Sequence, residues 1–237
     1  MNMQTHAQWS IEQGAPVGPQ LYRILRERII RNDLLPGMRI SESEIASDFS
    51  VSRQPVREAF IKLAEEGLLE VRPQRGTIVR KIATAEVMDA RFVREAIEAD
   101  IVKLLAQSAD KALARELKAQ LAAQREAAGK DPIGFIQLDE RFHRTLAEAA
   151  EKSYAWSVVE SLKAQMDRVR HLTMRKFPMD RLVEQHTAIA NAIAEGDASK
   201  AEAAMRRHLR AILDDLPAIV QERPEFFDDV SNNKIAR

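Results

Sequence analysis

Val51-Ser52-Arg53-Gln54-Pro55-Val56-Arg57-Glu58-Ala59-Phe60 is the stretch whose reading decides the fold. Ser52 stands where a helix N-cap belongs. Pro55 falls in the first turn, where proline is tolerated because the N–H it lacks has no intrahelical partner there. Val56, Ala59, Phe60 and Leu63 recur at helical spacing and predict a face turned to a core. Arg53, Gln54 and Arg57 are then left on the other side, near the helix N-terminus. That is the end a helix-turn-helix places in the DNA major groove.

The residues on either side supply the rest of such a unit. Upstream, Ser41 followed three positions later by Glu44 predicts a capping box, Ile45 and Phe49 give the short helix an apolar face, and Ser50-Val51 is the turn. Downstream, Gly67 ends the recognition helix. Leu68 to Val71 and Thr77 to Val79 then read as short strands joined through Arg72-Pro73-Gln74-Arg75-Gly76. The expectation is a β-wing with Arg75 at its tip.

Residues 18 to 82 resemble the winged helix of the GntR family of transcription regulators. The pattern Val51-Ser52-Arg53-Gln54-Pro55-Val56-Arg57-Glu58-Ala59, followed by Glu66-Gly67-Leu68-Leu69 and Arg75-Gly76, carries the resemblance. It implies that Arg53 and Arg57 read or clamp palindromic operator DNA and that Arg75 and Gly76 reach the minor groove; Ser52 and Gln54, at the same end of the helix, are expected to meet DNA with them. One departure is Ser43, where the family usually has an arginine in the second helix, so one common DNA contact is missing or replaced.

At 237 residues, 45% of them hydrophobic, the chain is long enough for two compact domains. Basic and acidic residues balance at 36 each, which removes any global nucleic-acid signature. Residues 18 to 81 nevertheless hold 12 basic against 9 acidic side chains, a local net of +3. The absence of cysteine excludes disulfides and thiolate metal sites, and is consistent with a reducing compartment. No apolar run approaches the roughly 20 residues that span a bilayer, and Met1 to Val17 has no signal-type apolar core. The expected location is the cytoplasm.

Taken in order, residues 1–17 read as a flexible arm and 18–82 as the DNA-binding domain. Within it, a first helix over about 19–31 ends at Asn32, and Leu35-Pro36-Gly37 turns the chain. Residues 83–222 read as an all-helical domain, to which the family resemblance assigns effector binding and dimerisation, and 223–237 as a C-terminal tail with Phe226-Phe227 as a docking point. Ile82 to Ala85 is the linker. Helices are expected over 86–107, 110–128, 132–150, 153–176, 179–195 and 198–221, broken near Gly129, Pro178 and Gly196-Asp197. The fold class is mainly α: an N-terminal winged helix-turn-helix, three helices plus a wing, followed by an antiparallel helical bundle.

Polar residues on the apolar faces of the bundle hold the chemistry. Phe135, Leu138, Phe142 and Leu146 form a stripe that includes or adjoins Asp139 and His143. His186 falls among Leu182, Ile189 and Ile193, and His208 shares a face with Ala201, Met205 and Ile212. Burying such groups costs a few kcal/mol each unless they are paired. A shared divalent metal satisfies them together, zinc first, with nickel, manganese or iron as alternatives. Separate hydrogen-bonded core residues are the competing explanation. The segments around Leu138-Asp139-x-x-Phe142-His143, Glu184-x-His186 and Met205-Arg206-Arg207-His208 resemble the FCD-type effector domain of the FadR subfamily. There an aspartate and three histidines bind a divalent metal at the floor of a ligand cavity, which implies Asp139, His143, His186 and His208 as ligands.

Arg94 shares a stripe with Ile97, Ile101 and Leu104. It is a candidate for forking onto an effector carboxylate, or for pairing with Glu98 one turn on. His171 is placed either toward the cavity or toward solvent, and His6 in the arm is a bystander. The function expected from these features is a non-enzymatic, homodimeric repressor released from its operator by a small organic acid bound over the metal. A regulator for which the ion itself is the signal, and a metalloenzyme using the ion as Lewis acid, are the alternatives.

Overall fold

The computed structural model describes residues 9–72, 76–173 and 179–228. These residues fall into two compact units, one formed by 9–84 together with 223–228 and the other by 85–222.

The first unit opens with helix α1 (Val17–Ile30), which buries Leu21, Leu25 and Ile29 completely. Asn32 ends it in the left-handed region at φ 60°, with the Asp33 N–H bonded to the Arg28 carbonyl and the Asn32 N–H to that of Ile29. This is the αL stop usually made by glycine, and asparagine is the next best residue for it. Strand β1 (Arg39–Ile40) follows, then α2 (Glu42–Asp48), whose N-cap Ser41 accepts a bond from the Glu44 N–H at 3.1 Å. The turn runs through Ser50 at φ 53° into α3 (Arg53–Glu65). Ser52 occupies the N-cap position with extended backbone, but its hydroxyl makes no capping bond, which corrects that part of the sequence expectation.

Val56, Ala59, Phe60 and Leu63 are buried as the α3 periodicity predicts. Gly67, at φ 70°, stops the helix through bonds from Gly67 N–H to Ala64 and from Leu68 N–H to Leu63. Strands β2 (Leu69–Arg72) and β3 (Gly76–Val79) pair antiparallel, and β1 joins the other edge of β3 to give the order β1-β3-β2. β1 was not expected from the sequence. Its two residues have no strand pattern of their own, and their pairing of Arg39 with Ile78 and Ile40 with Thr77 comes from tertiary contact.

The chain returns to this unit at its C-terminal end. A short 3-10 turn, Pro224–Phe226, brings Phe227 beside Ile82 in a parallel bridge. The Ile82 N–H donates to the Phe226 carbonyl at 2.9 Å, and the Asp228 N–H donates to the Ile82 carbonyl at 3.1 Å. Phe226 and Phe227 are buried, so residues 223–228 are built into the first unit.

The second unit consists of α4 (Thr84–Ser108, from its second residue), α5 (Lys111–Ala127), α6 (Pro132–Ala149), α7 (Ser153–Leu162), α8 (Ala164–Thr173), α9 (Met179–Ala194) and α10 (Ala198–Glu222). α5 packs against α6 and α9, and α9 against α10, around a core that includes Leu117, Phe142, Leu146, Ile189, Ile193 and Met205. Two differences from expectation stand out. The helix expected over 153–176 is two helices divided at Lys163, whose ammonium ion-pairs with Glu140 at 2.8 Å and Asp167 at 2.6 Å. No proline or glycine marks that break; residues 164–169 are buried all round, so no amphipathic stripe betrayed the change. On α4 the inward residues are Arg94, Glu98, Ile101 and Leu105, while Leu104 is exposed. Pro178, expected as a helix break, lies outside the described residues. No helix among the described residues is long and apolar enough to cross a membrane.

Candidate metal centre and DNA-reading face

α6 carries Asp139 and His143 one turn apart, α9 carries His186 and α10 carries His208; all four are buried. One donor atom from each lies within 4.8 Å of the donors of the other three. His208 Nε2 is 3.2 Å from His143 Nε2 and 3.3 Å from His186 Nε2, and His186 Nε2 is 3.6 Å from Asp139 Oδ1. An ion held at about 2.0 to 2.2 Å by imidazole nitrogen and carboxylate oxygen spaces neighbouring donors by roughly 3.0 to 3.6 Å. The donor set is therefore compatible in type and spacing with a divalent metal.

The outer ring nitrogens fix where the protons are. His143 Nδ1 lies 2.5 Å from Glu98 Oε2, His186 Nδ1 2.8 Å from Gln124 Oε1, and His208 Nδ1 2.9 Å from Gln185 Oε1. Each oxygen accepts, which places a proton on Nδ1; a neutral ring then carries its lone pair on Nε2, facing inward. Lone pairs on three nitrogens gathered beside a carboxylate repel one another unless a cation lies among them. Metal-binding histidines are oriented by the same use of the outer nitrogen. Phe142 stacks on the His186 ring at 4.4 Å between centroids and holds its plane.

Charge around the four donors follows from burial and neighbours. Burial lowers His186 to about 3, against the pull of Asp139, and lowers His208 well below its ordinary value. Burial alone would raise Asp139. Its ion pair with Arg170, Oδ2 to Nη2 at 2.5 Å, overrides burial and, with His143 and His186, holds the carboxyl well below the usual range. Among the described residues Arg170 is the partner at Oδ2, and a carboxylate so engaged keeps lone pairs for a further donor or cation. Glu98 is held at about 2, against burial, by Arg94 and His143.

Arg94 is buried, and its Nε donates to Glu98 Oε1 at 2.7 Å. The pairing with Glu98 therefore exists, and it continues through Glu98 to His143. Sequence reasoning did not single out Arg170, Gln124 or Gln185. Gln185 adjoins His186 in sequence, and Gln124 is a fully buried amide on the inner side of α5, which was the available signal. His171 is half-buried.

On the first unit, Ser52, Arg53, Gln54 and Arg57 are exposed along the N-terminal part of α3, and exposed Gly76 opens β3 at φ 85°. Gln54 Nε2 donates to Glu58 at 3.0 Å. Arg53 Nη2 and Arg57 Nε reach the Glu42 carboxylate at 3.2 and 3.3 Å. Arg75 lies outside the described residues.

Comparison with known proteins agrees with both halves. Residues 18–79 match the family model described as bacterial regulatory proteins, gntR family, and residues 89–211 match the FCD domain. The chain is 40% identical over 216 residues to the HTH-type transcriptional repressor RspR of Escherichia coli (strain K12), covering 90% of this chain and 95% of the relative. It is 32% identical over 198 residues to the probable D-xylose utilization operon transcriptional repressor of Paenarthrobacter nicotinovorans, covering 83% and 87%. The solved E. coli McbR/YncC shares the fold, with a TM-score of 0.71 at 17% identity over 88% of this chain and 99% of that one. These families and relatives are transcription regulators, which removes the metalloenzyme reading of the four buried side chains. The chain belongs to the GntR family of DNA-binding transcription regulators, in the FadR-like branch that carries a C-terminal FCD domain.

Proposed function

We propose that this protein is a homodimeric cytoplasmic repressor that leaves a palindromic operator when a small carboxylate binds over a divalent metal in its helical unit. Asp139, His143, His186 and His208 would hold the ion, zinc first. The ion would supply open coordination positions for carboxylate oxygens, with Arg94 contributing the guanidinium nitrogens that Glu98 does not engage. Ser52, Arg53, Gln54 and Arg57 on α3, with Arg75 and Gly76 at the wing, would meet DNA. The observation that carries the reading is the inward convergence of three Nε2 atoms, each ring anchored at Nδ1, beside the Asp139 carboxylate. Repression is supported by the two relatives named as repressors.

Because the ligands come from three helices, an acid pulling on the ion shifts α6, α9 and α10 together. The two recognition helices of a dimer must sit about 34 to 36 Å apart, or a multiple, to meet both half-sites, so a modest shift is enough to end binding. The test is fluorescence anisotropy of the full chain on DNA from upstream of its own gene, titrated with small carboxylic acids, with and without a chelator. Release by one acid, blunted by the chelator, is expected. Response to metal alone, with no acid active, would replace the effector reading with the metal-signal one. Silence to both would leave the four residues a structural cluster.

A further inference from the structure

We propose that Glu42 is a specificity-determining residue of the DNA-reading face: it holds Arg53 and Arg57 ready to read bases and disfavours binding through phosphates alone. The inference rests on α3 being the recognition helix. Glu42 is the first residue of α2, with 22% of its side chain exposed, and it divides its carboxylate between two arginines of the next helix. Oε2 lies 3.2 Å from Arg53 Nη2 and Oε1 lies 3.3 Å from Arg57 Nε. Both arginines are largely exposed, at 64% and 60%, and the three residues line one shallow groove with Gln54. Exposed ion pairs of this kind add little to folding stability, so stability does not account for the arrangement.

Its effect on the arginines does account for it. A guanine is read by two parallel donors to O6 and N7. Glu42 grips Arg57 through Nε, and the Nη1 and Nη2 pair plays no part in that contact. Base reading by Arg57 can therefore proceed with its ion pair intact and its rotamers already restricted, whereas Arg53, held through Nη2, keeps Nε and Nη1 for DNA. Binding through phosphates is different. Nonspecific association draws arginines to the backbone and depends on the number of phosphates neutralised. Here it would either bring an anionic phosphate up against the Glu42 carboxylate, a repulsion that neutral base acceptors avoid, or pull Arg53 and Arg57 off Glu42 and leave that carboxylate bare. The rest of α2 adds nothing to offset that, since Glu42-Ser43-Glu44-Ile45-Ala46-Ser47-Asp48 contains three acids and no base. One carboxylate thus acts for the right sequence and against the wrong ones, which is discrimination by an unfavourable element as well as a favourable one.

The experiment uses the full chain, an operator selected by that chain from a random-sequence library, and an unrelated duplex of equal length, each titrated across a salt series. Glu42→Gln removes the charge. Glu44→Gln makes the same charge change on the same helix at an exposed residue in no ion pair with either arginine among the described residues. Glu42→Gln is expected to tighten binding to the unrelated duplex by about five- to tenfold and to steepen its salt dependence, while operator affinity stays within about twofold or weakens. Glu44→Gln should move both duplexes by one small common factor. The proposal is overturned if Glu42→Gln shifts both duplexes equally or leaves their ratio unchanged. Arg57→Ala separates the two layers: retained operator binding sinks the recognition-helix reading, whereas lost binding with an unaltered ratio in Glu42→Gln sinks the Glu42 inference alone. Circular dichroism of each variant confirms the fold.

Discussion

Glu98→Gln tests the outer support of the proposed metal centre with little change in shape. Glu98 lies between Arg94 Nε at 2.7 Å and His143 Nδ1 at 2.5 Å, and all three side chains are buried. The amide oxygen can satisfy one of these donors, but the buried guanidinium loses its counter-charge. Removing one member of a buried pair costs about 3 to 5 kcal/mol, and the surviving hydrogen bond places this case near 3. The direction of the carboxyl's shift agrees: Arg94 and His143 hold Glu98 in its charged form against burial. At roughly 2 to 4 °C per kcal/mol for a chain of this length, the metal-free variant should melt about 6 to 12 °C lower. Metal affinity should fall about 10- to 100-fold, because the His143 tautomer is no longer fixed by an anionic acceptor. Thermal denaturation after chelation measures the first effect, and competition with a chromophoric chelator for zinc the second. A variant with unchanged melting and zinc affinity within twofold of the parent would refute both the tautomer argument and the charge argument.

Two further outcomes follow from the same geometry. His186, lowered to about 3, and His208, also lowered, stay neutral in the folded protein, whereas the unfolded chain takes up protons below about 6.5. Stability of the metal-free protein should therefore fall as pH drops from 6.5 toward 3, by up to about 1.4 kcal/mol per pH unit for each histidine; urea midpoints at pH 7.5, 6.5 and 5.5 that did not move would contradict neutral burial. Phe227→Ala, at a side chain only 1% exposed, should destabilise the first unit by about 3 to 5 kcal/mol and lower operator affinity at elevated temperature while zinc binding persists. Equal loss of zinc binding would show that Phe227 supports the helical unit instead.

The four central residues were legible because each sits on an apolar stripe at helical spacing, and a polar side chain in such a stripe is conspicuous in one dimension. The support around them was not. Gln124, Gln185 and Glu98 reach three different rings from α5, α9 and α4, and nothing in a linear pattern pairs Gln124 with His186, 62 positions away. Arg170 was hidden for another reason: α8 is buried nearly all round, so its inward side carries no periodic signature. Local rules worked where the physics is local, as at Asn32, Gly67 and the Ser41 cap. They failed at Arg39-Ile40, whose strand exists only because β3 offers an edge.

The bridge between Ile82 and Phe227 bears on how the molecule can be dissected. Residues just before and just after the helical unit are hydrogen-bonded to each other, so that unit is an insertion whose two ends leave the host side by side. A fragment ended at residue 82 would strip Ile82 of both backbone partners and lay bare the side chain it buries completely. Excision of 85–222, with the gap closed by a short flexible linker, retains Phe226 and Phe227 as partners of Ile82, and is expected to give a better-folded DNA-binding fragment than simple truncation.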